Sequence, residues 1–222
     1  MKLYMVSLGP GDYDLITLKA LKALKNADAI CVPTKSEDNS FKRSMTYKIV
    51  KALMDEHGFD KPIIPMYTPM RFKVEDWQNQ VNILQESFKQ YDTLSFVTLG
   101  DSAVYSTVYY LLDLIEVQNP ELYKNSEVIP GVTSFSDASA KIKKPLCVGD
   151  SSFSIVPLHK KNVPNTTVYM RPKIGMSTED IPQSGELCTF ENLNYQGETI
   201  SSYRKEHVEK YMTLFIDFVK AQ

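Results

Sequence analysis

Long apolar runs are missing from this chain. None approaches the roughly 18 consecutive apolar residues that a membrane-spanning helix needs, so no membrane partner is expected. Cysteine and histidine are scarce, at 3 each in 222 residues. Cys31, Cys147 and Cys188 lie far apart and are odd in number, which matches neither a zinc spacing nor a disulfide framework. With the histidines scattered as well, no protein-bound metal is expected, and a reduced, cytoplasmic setting fits. Excess charge is also lacking: 25 Lys and Arg against 27 Asp and Glu leave a net −2. There is thus no global basic field, and no nucleic-acid partner is expected. Internal repeats and low-complexity tracts are absent too. The opening Met-Lys-Leu-Tyr-Met-Val-Ser-Leu-Gly is too short before its glycine to hold a signal-peptide core and reads as a first strand.

What is present is ordinary globular composition, 43% hydrophobic and 23% charged, at a length that suits one large domain or two small ones. The organising stretch is Phe96 to Thr107. Leu94 to Leu99 is a short apolar run with the β-branched and aromatic content of a buried strand. It breaks at Gly100-Asp101-Ser102, and Val104, Val108, Leu111, Leu112 and Ile115 follow at helical spacing. A buried strand feeding a helix through a glycine is half of an α/β unit, and ligands of such sheets bind beyond the carboxyl ends of the strands. The plainer alternative is a tight turn with Asp101 or Ser102 as the helix N-cap.

Five strand segments alternate with helices over the first 130 residues: Lys2–Leu8, Ala29–Val32 closed by Pro33, Ile63–Tyr67, Leu94–Leu99 and Glu127–Gly131. The helices begin near Thr17, run from Met45 to His57 before Gly58, and span Val74 to Tyr91. Trp77, Val81, Leu84 and Phe88 form a core stripe on the last of these. Pro65 demotes the third strand to an edge or a strand end. Thr34 to Ser44 is a polar loop, and Lys141, Lys143 and Lys144 fall at a helix end. The alternation predicts a parallel five-stranded α/β sheet with right-handed crossovers. Beyond it, Phe153–Pro157, Thr167–Met170, Leu187–Phe190 and Tyr211–Phe218 are strand candidates with less helix between them, predicting a second α/β domain with a mixed sheet. The boundary is expected at 130/131. Tyr211–Phe218 reads as a central strand or part of a subunit interface.

Three glycine-marked turns follow three of the strands: Ser7-Leu8-Gly9-Pro10-Gly11-Asp12, Leu99-Gly100-Asp101-Ser102 and Ile129-Pro130-Gly131-Val132-Thr133-Ser134. The first lacks the dinucleotide glycine spacing, Pro10 removes a donor, and no Gly-Lys-Ser/Thr follows. These turns are unsuited to pyrophosphate. Backbone groups, Asp101 and the hydroxyls of Thr133 and Ser134 suit a small, positively charged nucleoside.

With these motifs the chain resembles the tetrapyrrole (corrin/porphyrin) methyltransferases. The matching pieces are Gly9-Pro10-Gly11-Asp12 with Leu15-Ile16-Thr17-Leu18-Lys19-Ala20, then Ala27-Asp28, Leu99-Gly100-Asp101, and Ile129 to Ser134, in the family's order over the first 150 residues. Within that family, Tyr105-Ser106-Thr107, Pro130 to Ser136 and Pro145-Leu146-Cys147-Val148-Gly149-Asp150 resemble the (cobalt-)precorrin-2 C20-methyltransferases. Val168 to Arg171 and Cys188 to Asn192 match more loosely. Two residues depart from the pattern: Ser7 stands where the first glycine usually falls, and Ser102 where most members have proline. Pro33 stands where the uroporphyrinogen branch has an acid, which speaks against that branch.

The resemblance implies two domains with the active-site cleft between them, S-adenosylmethionine as methyl donor, a tetrapyrrole substrate, a homodimer and a role in cobalamin biosynthesis. Carried over position by position, it implies cofactor contacts at Pro10, Leu99, Gly100, Asp101, Val104, Tyr105, Ser106, Thr133, Ser134, Met170 and Asn192. The reaction it implies is in-line attack of an electron-rich ring carbon on the sulfonium methyl. The catalytic assignment stays open: Tyr105, Asp101 and Glu191 are candidate bases, and water alone could serve. For the carboxylates of the substrate, Arg43, Arg71 and Arg171 are preferred because Arg can hold a carboxylate bidentately. Lys35, Lys42, Lys48, Lys73, His159, Lys160, Lys161 and Lys173 are further cations. Met170 alternatively fills a gap at a strand end. Other readings stand beside this one: another tetrapyrrole methylase, a diphthine synthase-like enzyme, a non-catalytic S-adenosylmethionine- or tetrapyrrole-binding protein, and an ordinary nucleotide-binding α/β protein.

Overall fold

The computed structural model describes residues 1–69, 71, 73–156, 165–179 and 181–219. The chain divides into two compact units, Met1–Phe153 and Ser154–Gln222. The first is built from β1 (Lys2–Ser7), α1 (Leu18–Asn26), β2 (Ala29–Thr34), α2 (Met45–His57), β3 (Ile63–Tyr67), α3 (Val74–Ser87), β4 (Thr93–Thr98), α4 (Val108–Gln118), α5 (Pro120–Lys124), β5 (Ser126–Ile129) and α6 (Ser134–Ile142). Its five strands lie in the order β3-β2-β4-β1-β5, and every pairing is parallel. The expected parallel α/β sheet is therefore present.

Side-chain alternation along the inner strands sorts two cores. Leu3, Met5, Ala29, Cys31, Leu94 and Phe96 point to one face, where Val81 and Leu84 of α3 and Val108, Leu111 and Ile115 of α4 cover them. Val6, Leu8, Ile30, Val32 and Val97 point to the other, under Ala20, Ala23 and Leu24 of α1 and Ile49, Val50, Leu53 and Met54 of α2. A strand buried on both faces must be apolar nearly throughout, which is why β1 and β4 read as continuous runs. The α3 stripe packs as expected: Val81 and Leu84 are fully buried, Trp77 and Phe88 are partly so, and Trp77 stacks on Tyr110 with centroids 4.2 Å apart.

The helix starts carry their sequence signals. Thr17 caps α1 by accepting from the Ala20 N–H, and Ser44 caps α2 by accepting from the Tyr47 N–H. Pro65 lies in β3, an edge strand as expected. Pro33 does not close β2, which continues to Thr34. Pairing of β2 with β4 is confined to Ala29, Ile30 and Cys31, while β3 pairs as far as Thr34. Beyond Cys31 one side of the strand is open, and a residue without an N–H is tolerated there. The helix expected from Val104 begins only at Val108. Its N-cap is Thr107 rather than Asp101 or Ser102.

The second unit contains β6 (Thr167–Met170), β7 (Glu186–Glu191), β8 (Thr199–Ser201) and β9 (Thr213–Phe218), in the order β6-β9-β7-β8. The mixed sheet of the sequence reading is corrected to an antiparallel one: among the described residues all its pairings are antiparallel. No helix occurs among the described residues of this unit, so nothing there carries the chain back across the sheet for a parallel return. β9 pairs on both sides and is an interior strand, as the central-strand reading of Tyr211–Phe218 expected. Residues 153–156 form no strand; Pro157, His159, Lys160 and Lys161 lie outside the described residues. Leu187, Phe215, Ile181 and Val208 form a small core. No helix among the described residues is long and apolar enough to cross a membrane.

Candidate functional site

The three glycine turns come together because their strands are neighbours. In the order β4-β1-β5, the carboxyl ends of all three open on one edge of the sheet. Gly9 and Gly100 bind each other through their backbones: the Gly9 N–H donates to the Gly100 carbonyl at 3.1 Å, and the Gly100 N–H to the Gly9 carbonyl at 2.7 Å. Both glycines have positive φ, 78° and 73°, a region that costs a side-chain-bearing residue energy. The third turn fits against the first two at Gly131. A Cβ built there would lie 2.7 Å from Ser7 Cβ and 2.8 Å from the Gly100 carbonyl oxygen.

The pocket these turns enclose holds about 220 Å³ and is lined by Pro10, Leu99, Gly100, Asp101, Val104, Tyr105, Thr133, Ser134 and Phe135. Eight of these nine are cofactor contacts that the family resemblance implies. Phe135 was not, although it follows Ser134 on the first turn of α6 and was legible as part of the same loop. Asp101 Oδ1 accepts the Ala103 N–H at 2.9 Å, and the Asp101 carbonyl accepts the Val104 N–H at 3.1 Å, so this acid organises its own turn. Tyr105 takes a φ of 51° and is 73% exposed. Holding a bulky side chain in that region costs about 1–3 kcal/mol.

The hydroxyls have local duties. Thr133 Oγ1 accepts the Ser136 N–H and caps α6. Ser106 is not among the lining residues: its Oγ accepts the Val108 N–H at 3.3 Å and bonds Thr98 Oγ1 at 3.2 Å, which supports the start of α4. The pocket has one carboxylate and no Lys, Arg or His. That donor set suits a cation and opposes a phosphate. Burial raises the pKa of Tyr109, on the first turn of α4, and the charge of Asp101 raises it further, so the carboxylate's field is felt beyond the pocket.

The remaining sequence candidates are not among the lining residues. Arg43 is exposed, just ahead of the α2 cap. Arg71 grips Asp76 in a fork, Nε to Oδ2 at 2.7 Å and Nη2 to Oδ1 at 2.9 Å, and this bond holds the Asp76 carboxyl below its ordinary range. Met170, Arg171, Glu191 and Asn192 belong to the second unit. Met170 ends β6 and is 68% exposed, so it fills no gap. Arg171 and Asn192 have φ of 63° and 50°. Glu191 is buried, and its Oε2 accepts from Thr199 Oγ1 at 2.6 Å and from Lys205 Nζ at 2.8 Å. Burial pushes this carboxyl up, and the hydrogen bonds from Lys205 and Thr199 more than offset it, leaving it below its ordinary value. A buried, depressed carboxylate is a poor proton acceptor. Among the described residues no group of three or more His, Cys, Asp or Glu is placed to hold a metal ion.

Residues 2–174 match the family model of the Tetrapyrrole (Corrin/Porphyrin) Methylases. The "Probable cobalt-precorrin-2 C(20)-methyltransferase" of Methanocaldococcus jannaschii is 31% identical over 159 residues, 72% of this chain and 65% of that protein. The cobalt-precorrin-2 C(20)-methyltransferase of Salmonella typhimurium is 31% identical over 156 residues, 70% of this chain and 62% of that protein. The matched region thus spans less than two thirds of either relative. The crystal structure of uroporphyrin-III-C-methyltransferase from Thermus thermophilus superposes with a TM-score of 0.51 at 20% identity, over 97% of this chain and 90% of that one; this shows a shared fold. With the family model matched over most of its length, the chain belongs to the tetrapyrrole (corrin/porphyrin) methylases.

Proposed function

We propose that this protein is an S-adenosylmethionine-dependent methyltransferase that adds a methyl group to C20 of precorrin-2 or of its cobalt complex during cobalamin biosynthesis. The observation that carries the reading is the pocket at the ends of β4, β1 and β5, whose nine lining residues include one acid and no base. The names of the two bacterial and archaeal relatives support the choice of substrate.

The donor supplies an electrophilic methyl group on a positively charged sulfur. Toward it the chain offers the Asp101 carboxylate, which favours a cation, and a wall of Pro10, Leu99, Val104 and Phe135 that excludes water from one side. Thr133 and Ser134 add polar groups at the start of α6. An electron-rich ring carbon is its own nucleophile, so no serine, cysteine or histidine has to be activated. What remains for the protein is alignment, worth about 7–11 kcal/mol where it is complete. Proton loss from the methylated ring falls to water or to the exposed Tyr105, since Glu191 is paired and buried. Met170 and Asn192 are proposed as further cofactor contacts and Arg43 and Arg171 as substrate contacts. A homodimer is part of the proposal, supported by Val168, Ile200 and Phe218, all exposed on one face of the antiparallel sheet.

The test is anaerobic incubation of the protein and S-adenosylmethionine with precorrin-2, with and without cobalt, followed by mass spectrometry. One added methyl located at C20 is expected. No gain on either substrate, with donor binding measured separately, moves the assignment to another methyl acceptor or to a binding role. A melting temperature raised by NAD or ATP but not by S-adenosylmethionine overturns the cofactor.

A further inference from the structure

Ser7 ends β1 with its side chain fully buried, and Ser102, in the turn after β4, is 2% exposed. The two are bound to each other: the Ser102 N–H donates to Ser7 Oγ at 2.9 Å across 95 residues of sequence. A buried backbone N–H must find a partner, and the sheet offers this one none, because the ladder between β1 and β4 has just ended in the Gly9–Gly100 pair. The same serine also meets the third turn. Its Cβ occupies the space that a side chain at position 131 would need. One residue therefore touches all three turns from below: it carries the first, holds the second by a hydrogen bond and spaces the third by contact.

We infer that Ser7 is a positioning residue for the pocket, holding the Gly100–Val104 turn through the Ser102 amide so that Asp101 faces the ligand, and that Ser7 and Ser102 work only as a matched pair. The inference rests on the proposed S-adenosylmethionine site, since that is the ligand the positioned turn would serve. Chemistry dictates the pairing. Glycine at position 7 removes the acceptor and leaves the Ser102 N–H buried without a partner. Proline at position 102 removes the donor and leaves the Ser7 hydroxyl in the same state. Making both changes removes donor and acceptor together and leaves nothing unpaired, and losing both partners of a buried bond costs far less than losing one. These are also the two positions at which the sequence departs from the family pattern described above.

The test is calorimetry of S-adenosylhomocysteine binding to the full chain and to Ser7→Gly, Ser102→Pro and the double variant, with melting temperatures alongside. Each single change is expected to lower the melting temperature, because one buried group is left unpaired, and to weaken binding by about tenfold, because the turn that shifts to satisfy that group has to be drawn back on binding at a cost of that order. The double variant is expected to return to within about threefold of the parent, the non-additivity expected of residues in one hydrogen bond. Single variants that bind as the parent does, or a double variant as weak as the two losses combined, overturn the inference. Amide hydrogen exchange separates this outcome from failure of the cofactor assignment. In Ser7→Gly the amide at 102 exchanges faster while those of β1 and β4 do not change, and this holds whatever the ligand. A parent that binds no S-adenosylhomocysteine overturns the cofactor assignment. An unchanged Ser102 amide in Ser7→Gly overturns the positioning role.

Discussion

Asp101 is the charged group of the pocket, and its own turn is tied down by backbone bonds rather than by its carboxylate alone. Replacing it by Ala removes the charge and one hydrogen bond to an exposed N–H. The expected result is a loss of S-adenosylhomocysteine affinity of about tenfold or more, the scale of a charge-assisted contact, with far-UV circular dichroism unchanged. Equal affinity in calorimetry would remove Asp101 from the site. Gly131 makes the opposite case, in which shape decides. A methyl group there meets Ser7 Cβ and the Gly100 carbonyl below 3.0 Å, and the latter is backbone that cannot swing aside. Gly131→Ala is expected to destabilise the protein by about 1–3 kcal/mol, the range for overpacking a filled site, read as a lower midpoint in urea. Neither serine of the buried pair announced itself in the sequence as a partner of the other, because 95 residues separate them and a serine looks the same whether it is solvated or bonded.

At the scale of elements, helix boundaries followed local chemistry and could be read directly. Thr17 and Ser44 occupy cap positions with hydroxyls bonded three residues ahead, and α2 runs over the residues expected of it. Thr17→Ala should cost about 1 kcal/mol of stability, measurable as a shift in thermal midpoint. The start of α4 was misplaced for a reason of the same kind. Val104 keeps helical spacing with Val108, yet its apolar side chain lines the pocket instead of the helix face, and periodicity does not distinguish the two uses. In the antiparallel sheet, the carboxylate of Asp217 in β9 accepts the N–H groups of Ser184 and Gly185 at 2.6 and 2.8 Å. The Ser184 backbone bond, opposed by burial and reinforced by the Ser184 hydroxyl and the Gly185 N–H, holds this carboxyl below its ordinary 3.8. A folded-state pKa below the unfolded one means stability that is present above pH 3.8 and lost as the pH falls through the folded value. Asp217→Asn should therefore lower the melting temperature at neutral pH and narrow the gap to the parent below about pH 3.8. A pH-independent gap would show that the charge is not what the two N–H groups bind.

For the whole molecule, the distribution of core is uneven. Both large clusters lie within residues 1–153, whereas the second unit's cluster has Ile181, Leu187, Val208 and Phe215 as its buried apolar residues. A core of that size rarely offsets the ordering of some tens of residues. A fragment of residues 1–153 is expected to fold cooperatively by itself, and a fragment from residue 154 onward is not, with circular dichroism and urea melts as the readout. The converse outcome would show that the parallel sheet depends on the rest of the chain. All nine lining residues of the pocket belong to the first unit, so that fragment provides a direct measure of how much donor affinity those three turns hold alone.

What the sequence by itself determined is the local alphabet: apolar runs for strands buried on two faces, helical stripes, capping hydroxyls, and three glycine turns following strands. Those follow from steric and hydrogen-bonding rules that act over a few residues, and they sufficed for the α/β class and the three turns, while most individual pocket residues were implied by the family resemblance. Tertiary structure alone decided three things. The strand order set β4, β1 and β5 side by side, so that turns distant in sequence share one opening. The hydrogen-bond ladder of residues 167–218 proved antiparallel, because direction depends on which strands meet and not on their composition. Burial separated groups of like type: Arg71 is committed to Asp76 and Glu191 to Lys205 and Thr199, while Asp101 lines the pocket. Side-chain identity states what a group can bind, and only the packed chain determines what it is left to bind.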